Sequence, residues 1–175
     1  MRLVRYNVAA TLDGFIAGPR GEFDWIPDDP TVDFAGLFAG IDTVLIGRKT
    51  FELVLQHPEQ AWPAGSRVFV FSRTLDPARH PDVTVIATDP VPVVAALRAE
   101  EGKGEIWLFG GGELFGTLLR AGQVDRVEVT VVPVLLGAGV PLLAGAARTP
   151  LRLVHTQRYP SGMIALHYDV PGAAR

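Results

Sequence analysis

Three short apolar runs punctuate the chain: Thr43-Val-Leu-Ile-Gly47, Val68-Phe-Val-Phe71 and Ile106-Trp-Leu-Phe109. Each passes directly into a turn of glycine, hydroxyl or charged residues: Arg48-Lys49-Thr50, Ser72-Arg73-Thr74 and Gly110-Gly111-Gly112-Glu113. Read as parallel strands, the runs bring these three turns to one edge of one sheet. Open α/β sheets bind ligands outside the carboxyl ends of their strands, where helix amino-termini offer unpaired N–H groups to phosphates. A cofactor carrying several phosphates is the ligand this pattern predicts.

The remaining pattern fills in the elements between these runs. Residues 3–10 form a strand that ends at the turn pair Asp13-Gly14. Residues 18–30 are rich in proline, glycine and acids around Phe23 and Trp25, which predicts an ordered loop. A helix over about 31–39 places Phe34, Leu37 and Phe38 on one face, and Gly40 closes it. Helices follow over 48–56, with Phe51, Val54 and Leu55 inward, over 91–101, with Pro92 in its first turn and Gly102 and Gly104 ending it, and over 113–121, closed by Gly122. Further strands are expected over 83–86 and 127–132. The segments 151–158 and 163–170 flank Pro160-Ser161-Gly162 as an antiparallel hairpin. Residues 135–141 read as an apolar loop.

This order predicts one α/β domain over residues 1–175: a three-layer, mixed but mostly parallel sheet with helices on both faces and a carboxyl-terminal hairpin. The length suits a single buried core. A formal net charge of −3 argues against a nucleic-acid partner. With no cysteine there is no disulfide, thiolate metal site or cysteine nucleophile. No apolar stretch reaches the roughly 18–20 residues of a membrane helix, and the amino-terminus reads as a strand rather than a signal peptide. A cytoplasmic protein without membrane contact is the expectation. The apolar segment 132–143 suggests a homodimer.

The candidate chemistry concentrates in the three turns. Gly47 lets the chain turn sharply into a helix, Thr50 can bond a phosphate, and Arg48 or Lys49 can neutralise it. Basic residues oppose the usual acidic preference of a helix start, which favours an anionic ligand. This is not a Walker A loop, and the triple glycine is not a dinucleotide fingerprint, because Phe115 stands where the last glycine belongs. Three glycines between a strand and a helix cost entropy, which suits a backbone that must approach a ligand or a neighbouring strand. His57, His80, His155 and His167 are scattered without metal-ligand spacing, and no G-x-S-x-G frame is present. Of the clustered carboxylates Asp13, Asp24, Asp28, Asp29 and Asp33, most read as loop formers or caps.

The segments 8–17, Gly47-Arg48-Lys49-Thr50-Phe51, Gly110-Gly111-Gly112 and 125–139, in this order, resemble the dihydrofolate reductase superfamily. The chain is most similar to the branch containing the reductase domain of the riboflavin-biosynthesis deaminase/reductase. The resemblance implies an NADPH-dependent oxidoreductase acting on a small pteridine- or aminopyrimidine-type heterocycle, as a dihydrofolate reductase or a 5-amino-6-(5-phosphoribosylamino)uracil reductase does. It places Ala9 and Ile16 at the nicotinamide, Gly47, Arg48, Lys49 and Thr50 at cofactor phosphates, and Ser72 and Arg73 at the 2′-phosphate. Gly111, Gly112, Glu113 and Leu114 would cover the pyrophosphate. Asp33 would be the catalytic carboxylate, paired with Thr130, and Trp25, Phe34 and Phe51 the aromatic walls of the substrate pocket. The Asp33–Gly47 spacing is two residues shorter than usual, and Phe15 replaces a basic residue typical of the riboflavin enzymes. The alternatives are a non-catalytic NADPH-binding or sensing domain and a structural oligomer packed through its glycine loops.

Overall fold

The computed structural model describes residues 1–58, 62–101, 104–145 and 148–172. Its centre is one eight-stranded sheet. Strand β1 is Val4–Thr11, β3 Ile41–Gly47, β4 Arg67–Phe71, β5 Thr84–Ile86, β6 Glu105–Gly110, β7 Arg126–Val132, β9 Arg152–Arg158 and β10 Ile164–Asp169. Their spatial order is β5-β4-β3-β6-β1-β7-β10-β9. The first six run parallel, and β10 then pairs antiparallel with both β7 and β9. The predicted mixed sheet, with its terminal hairpin, is therefore the observed one. Strands β3, β4 and β6 are neighbours in the parallel part, so their carboxyl ends open on the same edge.

Helices α1 (Phe34–Phe38), α2 (Arg48–Gln56), α3 (Pro90–Ala99) and α4 (Gly112–Arg120) cover the sheet. Val4, Tyr6 and Ala10 of β1 share one buried cluster with Val94 and Leu97 of α3 and Leu114, Phe115 and Leu118 of α4. Val44, Ile46, Val68, Val70 and Trp107 form a second cluster with Phe51 and Val54 of α2. Leu45 belongs to the first cluster and its neighbours Val44 and Ile46 to the second. That is why β3 reads as an unbroken apolar run: alternate residues point to opposite faces and both faces are dry.

Three details depart from the sequence reading. Helix α1 is five residues long rather than spanning 31–39. Asp29 holds the preceding turn, accepting from the Thr31 amide at 3.0 Å and hydroxyl at 2.6 Å, and Asp33 then caps the helix. Leu55 is 53% exposed, because the inner face of the short α2 is filled by Phe51 and Val54. The loop over 135–141 ends in a strand, β8 (Val140–Pro141), paired with β2 (Phe15–Ala17). The glycine that the sequence reading placed at 102 as a helix terminator lies outside the described residues.

The β2–β8 ribbon forms a flap at the carboxyl edge of β1. A side chain at Gly139 would stand 2.2 Å from the Ala17 carbonyl oxygen, so only glycine lets these backbones meet. Asp13 ties the same region together, accepting from the Thr11 hydroxyl at 2.5 Å and the Gly137 amide at 2.7 Å. These bonds hold its carboxyl below the usual carboxylate range. No described helix is long and apolar enough to cross a membrane.

Candidate active site

A cleft of about 1510 Å³ runs along the carboxyl ends of the parallel strands. A pocket for one drug-sized molecule is roughly 300–1,000 Å³, so this one has room for a dinucleotide and a second small molecule. Because the strand order is β5-β4-β3-β6-β1, the cleft meets the predicted residues in sequence. Ser72 and Arg73 follow β4, Gly47–Thr50 join β3 to α2, Gly111–Leu114 join β6 to α4, and Ala9 and Ile16 stand at β1 and the flap.

Two helices open on this cleft without a side-chain cap on their first amides. Both α2 and α4 have a glycine N-cap, Gly47 and Gly111, with no side-chain hydrogen bond. By contrast, α1 and α3 are capped by the Asp33 and Asp89 carboxylates. Unfilled N–H groups and the positive helix end make a place for an anion. Both helices have nine residues, long enough for a complete terminal turn. A side chain at Gly111 would come 3.2 Å from Thr50 Oγ1, so the two helix starts are in close approach.

The cations divide clearly. Arg48 is held by both oxygens of Glu52 at 2.8 Å, an ion pair within one helix face. Lys49 and Arg73 are exposed, line the cleft and have no ion pair among the described residues. Ser72 Oγ accepts from the Thr74 and Leu75 amides at 3.2 and 2.9 Å. Its oxygen is therefore engaged while its hydrogen stays available to donate to a phosphate. This donor set, with bare helix amides and glycine backbone, fits a phosphorylated nucleotide cofactor.

The opposite wall is aromatic. Phe34 and Phe38 have centroids 6.1 Å apart, Phe38 and Trp107 4.8 Å, and Trp107 and Phe109 4.6 Å. All four line the cleft as a ladder from α1 to the end of β6. The Trp107 indole donates to the Asn7 carbonyl at 3.2 Å, which sets the ring's plane. Of this ladder, only Phe34 was assigned to the substrate pocket from sequence. Trp107 and Phe109 stand two apart on β6 and so share a face; bulky rings at the open end of a strand were the signal for them.

Four predicted site residues lie outside the cleft lining. Asp33 spends its carboxylate on the Gly36 amide at 2.8 Å. Thr130 sits within β7, paired between Ala9 and Ala165, and no hydrogen bond joins it to Asp33. Phe51 is 2% exposed and fills the core beneath α2 instead of facing a ligand. Trp25 braces its own loop by donating to the Glu22 carbonyl at 3.1 Å. The cleft instead receives Asp24, Asp28 and His57 from the neighbouring loop and the end of α2.

Fold and cleft together define an α/β protein with a dihydrofolate reductase-like sheet and one large cleft along its strand ends. The chain belongs to the RibD C-terminal domain family, whose sequence pattern matches residues 2–165. It is 34% identical to the uncharacterized protein YyaP of Bacillus subtilis, over 98% of this chain and 96% of that protein. A crystal structure from Shewanella sp. PV-4, provisionally assigned to riboflavin biosynthesis, superposes with a TM-score of 0.81 at 28% identity, covering 97% of this chain and 99% of that one. Dihydrofolate reductase from Enterococcus faecalis, solved with NADP(H), shares the fold with a TM-score of 0.72 at 18% identity, covering 97% and 96%.

Proposed function

We propose that this chain is an NADPH-dependent reductase acting on a flat conjugated heterocycle of pteridine or aminopyrimidine type. The observation that carries this reading is the pairing of two uncapped helix starts with an aromatic ladder in a single cleft. When bound, NADPH would supply the hydride. The chain's own part is to hold and shield. The amides of Gly112, Glu113 and Leu114 and the start of α2 would take the pyrophosphate, with Lys49 as counter-charge. Ser72 and Arg73 would take the 2′-phosphate. Ala9 and Ile16 would set the nicotinamide against the flap, and the aromatic ladder would orient the acceptor ring.

Arg73→Ala is the direct test. A charge-assisted contact to phosphate contributes about 1.5–3 kcal/mol, so NADPH should bind on the order of ten- to a hundredfold more weakly. NADH, which lacks the 2′-phosphate, should bind almost as before. Titration calorimetry with both cofactors decides the matter, and equal losses would refute the contact.

One observation favours the alternative of a binding or sensing domain. The α1 carboxylate expected at the substrate, Asp33, is committed to capping its helix outside the cleft. Stopped-flow oxidation of bound NADPH against dihydrofolate, aminopyrimidine and quinone acceptors separates the two readings. Turnover with one of these acceptors supports the reductase; tight cofactor binding without turnover supports the sensor.

A further inference from the structure

The two halves of the cleft differ in charge, and that difference points to a substrate class. On the strand-end side stand Lys49 and Arg73, which have no ion pair among the described residues and are assigned above to the cofactor, together with the carboxylates of Glu113 and of Asp89, the latter capping α3. The other side is bounded by residues 21–28, by α1 and by the aromatic ladder. The charged carboxylate groups it adds to the cleft are Asp24 and Asp28, both exposed and neither engaged by a hydrogen bond or ion pair among the described residues. His57 also lines this side, its ring meeting the edge of Phe23 at 4.9 Å. The cleft's other arginine, Arg48, is already neutralised by Glu52.

A phosphate placed here would face two carboxylates, with the cleft's free cations taken by the cofactor. A flat cation meets the reverse situation. Aromatic faces carry negative potential toward a positive ring, and two nearby carboxylates add to the attraction. We infer that the aromatic half of the cleft selects a flat, positively charged ring without a phosphate group. This rests on the cofactor reading above, since it assigns Lys49 and Arg73 to the nucleotide.

The test uses protein saturated with the tetrahydro derivative of NADPH, whose ring is neutral and cannot deliver hydride. Three probes are then titrated calorimetrically: N-methylquinolinium, quinoline as its neutral counterpart, and uridine 5′-monophosphate as a phosphorylated pyrimidine. The cation should bind about tenfold more tightly than either of the others. Asp24→Asn/Asp28→Asn should abolish the preference for N-methylquinolinium over quinoline while still binding the cofactor analogue, which reports that the variant is folded. The single variants Asp24→Asn and Asp28→Asn, each expected to lose part of the preference, provide the same comparison if the double variant does not fold. Tighter binding of the nucleotide, a preference that survives the substitutions, or binding of none of the probes overturns the inference. Failure of the cofactor analogue to bind would bring down the cofactor reading and this inference with it. Normal binding of the analogue with the wrong probe order brings down this inference alone.

Discussion

Glu128→Ala should lower the unfolding free energy by about 3–5 kcal/mol, the cost of leaving a buried charge without its partner. The Glu128 side chain is 3% exposed and receives Arg5 Nε and Nη2 at 3.1 and 2.8 Å and Asn7 Nδ2 at 2.9 Å. Arg5 is itself 11% exposed and keeps a second contact to Glu105 at 2.8 Å, which points to the lower end of that range. Urea unfolding measures the loss; a change below about 1 kcal/mol, the typical value of a surface pair, would show that the pair is effectively solvated. Burial pushes the Glu128 carboxyl up, but the bonds from Arg5 and Asn7 outweigh it and hold the group below its ordinary value. Burial likewise holds His167, the cross-strand neighbour of Glu128, below its ordinary value of 6.5. Both groups bind protons more readily in the unfolded chain, so both stabilise the fold above their ordinary values and lose that contribution on acidification. Stability should start to fall below pH 6.5 through His167 and fall further in the carboxylate range through Glu128. In Glu128→Ala the second fall should shrink.

Gly112→Ala should cost about 1–3 kcal/mol of stability and weaken NADPH by on the order of tenfold or more. The added methyl would stand 2.5 Å from the Pro141 carbonyl oxygen and 3.2 Å from that of Leu142. Those atoms are backbone, so the segment carrying β8 must move, and with it the flap over β1. Gly112 also begins α4 and offers one of the amides assigned to the pyrophosphate. Gly111→Ala is the matched control. Its methyl would approach only the Thr50 hydroxyl at 3.2 Å, at the movable end of a side chain, and should be better tolerated. Equal behaviour of the two variants in thermal unfolding and cofactor titration would argue against the role given to the β8 segment.

The strand-end cluster was legible because it depends on local chemistry. Apolar runs such as Thr43–Ile46 and 106–109 identify strands buried on both faces, and glycine with hydroxyl or basic residues identifies the turns that follow. Once the runs are parallel neighbours, Gly47, Ser72 and Gly111 must share an edge. The aromatic wall was less legible. Phe51 and Phe38 both recur at helical spacing in short amphipathic segments, yet Phe51 enters the core and Phe38 joins the cleft. Helical periodicity tells which face is apolar; it does not tell whether that face meets a sheet or an opening.

By itself the amino-acid order determined the parallel sheet, its helices, the hairpin and the rim where glycine turns, hydroxyls and cations gather, since periodicity and turn chemistry act over a few neighbouring residues. Only the tertiary structure decided that Asp33 caps a helix, that Trp107 and Phe109 complete an aromatic wall, and that residues 140–141 return to β2 as a flap. Those outcomes depend on which distant backbones approach within a few ångströms, a matter of packing space that no local pattern encodes.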